Sequence, residues 1–158
     1  MHKTKIDISG DVREKMIGLL NDRLADAIDL KSQAKQAHWN VKGMNFIALH
    51  ELFDQVATEV EGHIDTLAER VTTLGGTALG TIRVAAQKSS LSEYPLEITD
   101  GHSHVDALSN AMADFGKKVR ANIDDADEAG DKDTADLFTG VSREIDKQLW
   151  FVEAHIQA

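Results

Sequence analysis

The sequence predicts an all-α domain: a bundle of four long helices, with a short extra helix in the long connection between the second and third. Three observations lead there. The chain holds one proline and few aromatic residues beside abundant Ala, Leu, Asp, Glu and Lys, a composition that suits long helices better than strands. Apolar residues recur at steps of three and four along four stretches, as the buried face of a helix requires. Between the second and third of these stretches, residues 75–98 carry Gly75, Gly76, Gly80 and Pro95 and show little periodicity. At 158 residues the chain suits one domain, 1–158, and is short for two; residues 1–8 are expected to form a short mobile tail.

Ser9 is placed to cap the first helix, whose apolar positions Val12, Met16, Leu20, Leu24 and Ala27 run toward an end near His38. After Gly43 the pattern resumes at Phe46, Leu49, Phe53, Val56, Val60, Ile64, Leu67 and Val71, until "LGG" stops it. This second helix is the best-defined element. The run "IRVAAQ" is the one short helix expected within the connection. Thr99 or Asp100 opens the third helix, which is expected to decay into the acidic turn "DDADEAGDKD". Asp133 and Thr134 precede a fourth helix that runs almost to the C-terminus. Four long helices with one long crossover between the second and third make the connectivity of ferritin-like bundles.

Composition excludes several functions. With no cysteine, there are no disulfides, thiolate ligands or cysteine nucleophiles, so any metal site must use His, Asp and Glu. A formal charge of -10 opposes a nucleic-acid-binding face on the folded body. No apolar run of about 18 residues is present, and the first residues lack the apolar stretch of a secretory signal, so a soluble cytoplasmic protein is expected.

The second helix also carries a polar stripe. At about 100° per residue, His50, Asp54, Glu61, Asp65 and Glu69 share a face displaced by about a third of a turn from the apolar one. His50 with Asp54, and Asp65 with Glu69, are i, i+4 pairs that can each aim two ligand atoms at one point. The midpoints of the two pairs lie about 22 Å apart at the helical rise, too far for one metal centre. Two copies of the helix packed antiparallel about a two-fold axis near Glu59 and Val60 solve this. Ala57 then lies opposite the partner's Gly62 and Thr58 opposite the partner's Glu61, and each of two equivalent centres takes His50 and Asp54 from one chain and Asp65 and Glu69 from the other. His38, just across the turn, can add an imidazole. Mixed nitrogen and oxygen donors suit Fe(II), Mn(II) or Zn(II); iron is the choice taken here, although ligand type alone does not select it. Glu61 is left without a role.

The run His38, Trp39, Asn40, Val41, Gly43, Phe46, Leu49, His50, Phe53, Asp54, followed by Asp65, Ala68, Glu69 and Arg70, resembles the signature of the Dps family, the mini-ferritins called DNA-binding proteins from starved cells. The likeness extends through "LGGTALGT", "DDADEAGDKDTADLF" and "DKQLWFVEAH" and so covers most of the chain. Ordinary ferritins use a Glu-x-x-His pair inside each bundle, and no Glu here has a His three positions on. The resemblance implies a hollow dodecamer with ferroxidase centres built from His38, His50 and Asp54 of one subunit and Asp65 and Glu69 of its two-fold mate. It implies oxidation of Fe(II), preferably by hydrogen peroxide, and storage of the ferric product as mineral.

By the same resemblance, Asp127, Asp131 and Asp136 line a three-fold iron-uptake pore, and their segment also reads as acidic capping of the fourth helix. Lys132 makes such a pore less negative. Glu51 is a candidate for mineral nucleation and Trp39 for trapping an escaping oxidising equivalent, with plain surface and packing roles as their alternatives. His63 points about 160° away from Asp65 and reads as a surface or interface residue; His102, His104 and His155 read as solvated. Lys3 and Lys5 are the only basic residues in the N-terminal tail, so DNA binding is expected to be weak or absent. The rival reading is a nucleoid protein that compacts DNA and whose metal site is structural, with zinc as its candidate ion.

Overall fold

The computed structural model describes residues 1–157; Ala158, the last residue of the expected domain, lies outside the described residues. Five helices follow in order: α1 (Gly10–Asn40), α2 (Phe46–Thr73), α3 (Ile82–Lys88), α4 (Gly101–Glu128) and α5 (Lys132–Glu153). Among the described residues there is no strand, only an isolated parallel bridge between Lys42 and Asp100. No helix among them is long and apolar enough to cross a membrane. The four long helices and the short α3 are the predicted architecture.

The expected caps of α1 and α4 are in place and α3 has one as well, whereas Asn45 at the head of α2 makes no side-chain cap bond. Ser9 accepts from Val12 N–H at the head of α1, Thr81 from Val84 N–H at α3, and Asp100 from Ser103 N–H at α4. Such side-chain oxygens satisfy donors that the first helical turn leaves unpaired. The apolar faces pack α1 chiefly against α2 and α4 chiefly against α5. Met16, Leu20, Leu24, Leu49, Phe53, Leu67, Phe115 and Phe138 are fully or almost fully buried in one continuous core.

Two boundaries differ from the sequence reading. The acidic segment expected as a long turn is helical through Glu128, and α5 begins at Lys132 rather than after Thr134. The cause is Asp131. This cap is 1 % exposed; it accepts from Thr134 N–H at 3.0 Å and Thr134 Oγ1 at 2.6 Å, and from Arg70 Nη2 of α2 at 2.9 Å. The reversal therefore needs only a tight turn in which Gly130 takes φ +84°, a conformation that costs glycine little. The first two of residues 1–8, read from sequence as a tail, reach the turn after α2, with His2 N–H donating to Gly75 O at 2.7 Å.

Because Asp131 is a buried acid whose guanidinium partner would be left unpaired, Asp131→Ala is expected to cost about 3 kcal/mol in urea unfolding, against about 0.5 kcal/mol or less for Asp127→Ala at the exposed pair with Lys132. Equal effects would refute the capping network.

Candidate metal centre

The candidate ligands begin where α1 hands over to α2. Gly43 sits in this turn with φ +113°, which lets five residues reverse the chain and set the last turn of α1 beside the first turns of α2. The two histidines then close it reciprocally. His38 Nδ1 lies 2.7 Å from the carbonyl oxygen of His50, and His50 Nδ1 lies 2.8 Å from that of His38. Their rings stack with centroids 3.8 Å apart at 20°. A carbonyl only accepts, so each Nδ1 carries a proton, and in the neutral form of either ring the lone pair is on Nε2. That is the tautomer a metal ligand needs, set by a backbone partner on the other nitrogen.

Asp54 stands one helical turn beyond His50 and is half-buried. Lys35, one turn before Trp39, donates to Asp54 Oδ1 at 2.6 Å. That hydrogen bond, more than the charges of Lys35, His38 and His50, holds the carboxyl below the usual carboxylate range against the opposing effect of desolvation. The same ammonium stands 5.6 Å from the Trp39 ring centroid. Lys35 thus puts a positive charge where a divalent ion would seek an oxygen. The sequence reading missed it; its place one turn before His38 and Trp39 was the available signal.

Asp65 and Glu69 are exposed on the same helix, about 22 Å along its axis from the first pair. Among the described residues no group of three or more His, Asp or Glu side chains is arranged to hold a metal within one chain. Glu61, between the pairs, is bound to Lys31 of α1. A Cβ added to Gly62 meets nothing, so the helix surface there is open.

The remaining candidates separate. Glu51 is exposed, as are Asp127 and Asp136. Asp131 is corrected: buried and engaged by Thr134 and Arg70, it is a structural cap and offers no free carboxylate to a pore. Trp39 is 66 % exposed, so packing within the chain does not account for it. His102 and His155 are exposed as expected. His63 is half-buried with an enclosed, unpartnered Nε2, and burial lowers its pKa although Glu59 and Glu144 oppose the shift. His104 is the second correction, 1 % exposed rather than solvated.

The ferritin-like domain family matches residues 17–158. The DNA protection during starvation protein of Agrobacterium fabrum is 50% identical over 156 residues, covering 99% of this chain and 96% of that protein. The chain belongs to the Dps family. Among solved structures, a Mycobacterium smegmatis Dps superposes with a TM-score of 0.94 at 30% identity, covering 99% of this chain and 96% of that one. A Vibrio cholerae Dps superposes at 0.91 with 26% identity, covering 99% and 98%. This Dps chain therefore keeps the family's fold along nearly its whole length.

Lys35→Met is expected to raise the Asp54 pKa toward the ordinary carboxylate value, since it removes the leading cause of the depression. Carboxyl NMR titration of the metal-free protein checks this; an unmoved Asp54 would overturn the pairing.

Proposed function

We propose that this Dps is an iron-oxidising and iron-storing mini-ferritin whose ferroxidase centres are shared between two-fold-related subunits of a dodecamer. The observation that carries the reading is the imidazole pair: two rings fixed through Nδ1 at the α1–α2 turn, with Asp54 one helical turn on from His50, and with Asp65 and Glu69 exposed on the same face but out of reach. An antiparallel mate supplies the missing carboxylates to each half-site. The Vibrio cholerae relative is a member of a broad superfamily of ferritin-like diiron-carboxylate proteins, and the donor set here fits the same metal.

In this reading His38, His50 and Asp54, with the partner's Asp65 and Glu69, bind Fe(II) as substrate. Carboxylates favour the harder Fe(III) product. Two Fe(II) ions each give one electron to a single hydrogen peroxide, whose O–O bond breaks and, with two protons, yields two waters. No hydroxyl radical is released. Zinc or manganese can take the same donors. Asp127 and Asp136 draw Fe(II) toward the shell, with Lys132 tempering the charge at Asp127; exposed Glu51 is the candidate for mineral nucleation and Trp39 for radical capture. The net charge of -10 on each chain favours iron chemistry over the DNA-compacting alternative.

Complementation tests the shared centre. His50→Ala and Glu69→Ala homo-oligomers should both lose peroxide-driven Fe(II) oxidation. In a mixed dimer carrying one substitution on each chain, one centre takes both lesions and the other none, so about half the native centres return. Mixed particles no more active than either parent would sink the shared-site reading. Separately, Asp127→Asn with Asp136→Asn should slow initial Fe(II) uptake several-fold at low ionic strength while leaving assembly unchanged. Uptake at the native rate would remove these residues from the path.

A further inference from the structure

The first turn of α4 packs against α2 at Leu49, the residue before His50, and its buried histidine takes no part in the chemistry above. His104 Nδ1 is 2.7 Å from the Tyr94 hydroxyl of the crossover, and the two rings stack at 6.0 Å. On its other side the ring meets Phe53 of α2, 6.5 Å between centroids and one residue from Asp54. The backbones of Ile98 in the crossover and Asn40 at the end of α1 also act on it. Three residues earlier Gly101 is pressed onto α2: a Cβ there would stand 2.7 Å from Leu49 Cδ1, beside His50. The α1–α2 turn is tied to the same place by Lys42 N–H, which donates to Thr99 O at 2.8 Å.

Backbone carbonyls beside the ring favour an N–H on Nε2, which is buried and has no partner of good geometry. Nδ1 then keeps its lone pair for the Tyr94 O–H. Burial pushes the Tyr94 pKa up, so the hydroxyl keeps its proton. A proton added to His104 removes that acceptor, leaves the Tyr94 hydroxyl to find another, and places a cation near the positive end of the α4 dipole. The titratable and charged groups facing the ring are Tyr94 of the crossover and Asp100, the α4 cap; α1 and α2 present Asn40 and Phe53, which do not titrate.

We propose that the Tyr94–His104 pair is a pH-sensitive support of the metal half-site: neutral His104 holds the crossover and the α1–α2 turn against the back of α2, and its protonation loosens both. The link to metal rests on the reading of His38, His50 and Asp54 given above, whereas the support itself does not. Its sign follows from linkage. Desolvation, which outweighs Asp100 and the backbone, lowers the folded pKa of His104, so below the unfolded value of about 6.5 the unfolded chain binds more protons. Stability contributed by neutral His104 is therefore full above that value and falls as pH drops through the window beneath it.

Hydrogen exchange on the full-length metal-free protein between pH 7.5 and 5.0 tests this, with protection corrected for intrinsic rates. In the wild type, protection of the Lys42 amide and of residues 89–103 should fall about tenfold or more on acidification. His104→Gln, which still accepts from Tyr94 but does not titrate, should stay flat, and Tyr94→Phe should be poorly protected already at pH 7.5. Constant wild-type protection, or an equal fall in the Gln variant, overturns the support. Should His104→Gln not fold, Tyr94→Phe decides: native protection at pH 7.5 overturns it as well. Co(II) titration at pH 7.5 tests the consequence, with several-fold weaker binding expected for Tyr94→Phe and equal affinity breaking the link to the half-site. Failure of the ferroxidase reading shows elsewhere, in a His50→Ala protein that still oxidises Fe(II).

Discussion

The structure depends first on the reciprocal closure of the α1–α2 turn by two imidazoles. Each ring donates to the other residue's backbone carbonyl, so the same two hydrogen bonds join the helices and set both tautomers. The carbonyl of His38 lies in the last turn of a helix, where acceptors lack intrahelical partners, and the His50 ring supplies one. Fold and candidate chemistry thus share atoms here. An imidazole free to rotate would satisfy neither role.

Charge is arranged around this closure in a regular way. Along the α1–α2 seam, Lys35 meets Asp54 and Lys31 meets Glu61, so two of the five polar residues on the α2 stripe are neutralised within the chain. Among the described residues Asp65 and Glu69 have no such lysine partner, and both are exposed. One part of the stripe is therefore charge-compensated, with Asp54 half-buried next to the imidazoles and Glu61 exposed, and the other is an uncompensated pair of exposed acids. Two surfaces of that kind are electrostatically suited to meet in a second copy, and the open space over Gly62 leaves room for a backbone to approach. At the far end of α2, Arg70 follows Glu69 directly and grips Asp131 and Thr134, which fastens the helix end that carries the exposed acids to the α4–α5 turn.

The helices were legible because their physics is local. Steps of three and four, Ser9 before α1 and the Gly75–Gly76 pair after α2 are all properties of neighbouring residues, and they located α1 and α2 closely, while a brief apolar rhythm located the seven-residue α3. The acidic segment 124–133 misled because Asp and Gly favour turns in isolation, whereas here Ala126 is buried in the core and holds most of the segment helical. His104 misled for the same reason. An isolated histidine near a helix start is ordinarily solvated, and only the path of the crossover over it, with Tyr94 ten residues away, buries the ring.

The sequence by itself determined the helical bundle, its connectivity and the polar stripe of α2, because periodicity dictates which residues share a face of a helix. It also showed that the two ligand pairs on that stripe lie too far apart to serve one centre, since helical rise leaves no freedom in the matter. Only the tertiary structure decided which nitrogen each imidazole presents, that Lys35 occupies Asp54, that Asp131 is a buried cap and that His104 stands behind the site. Each of these depends on groups brought together from different helices, and the directions of their hydrogen bonds are set by packing that no spacing along one helix encodes.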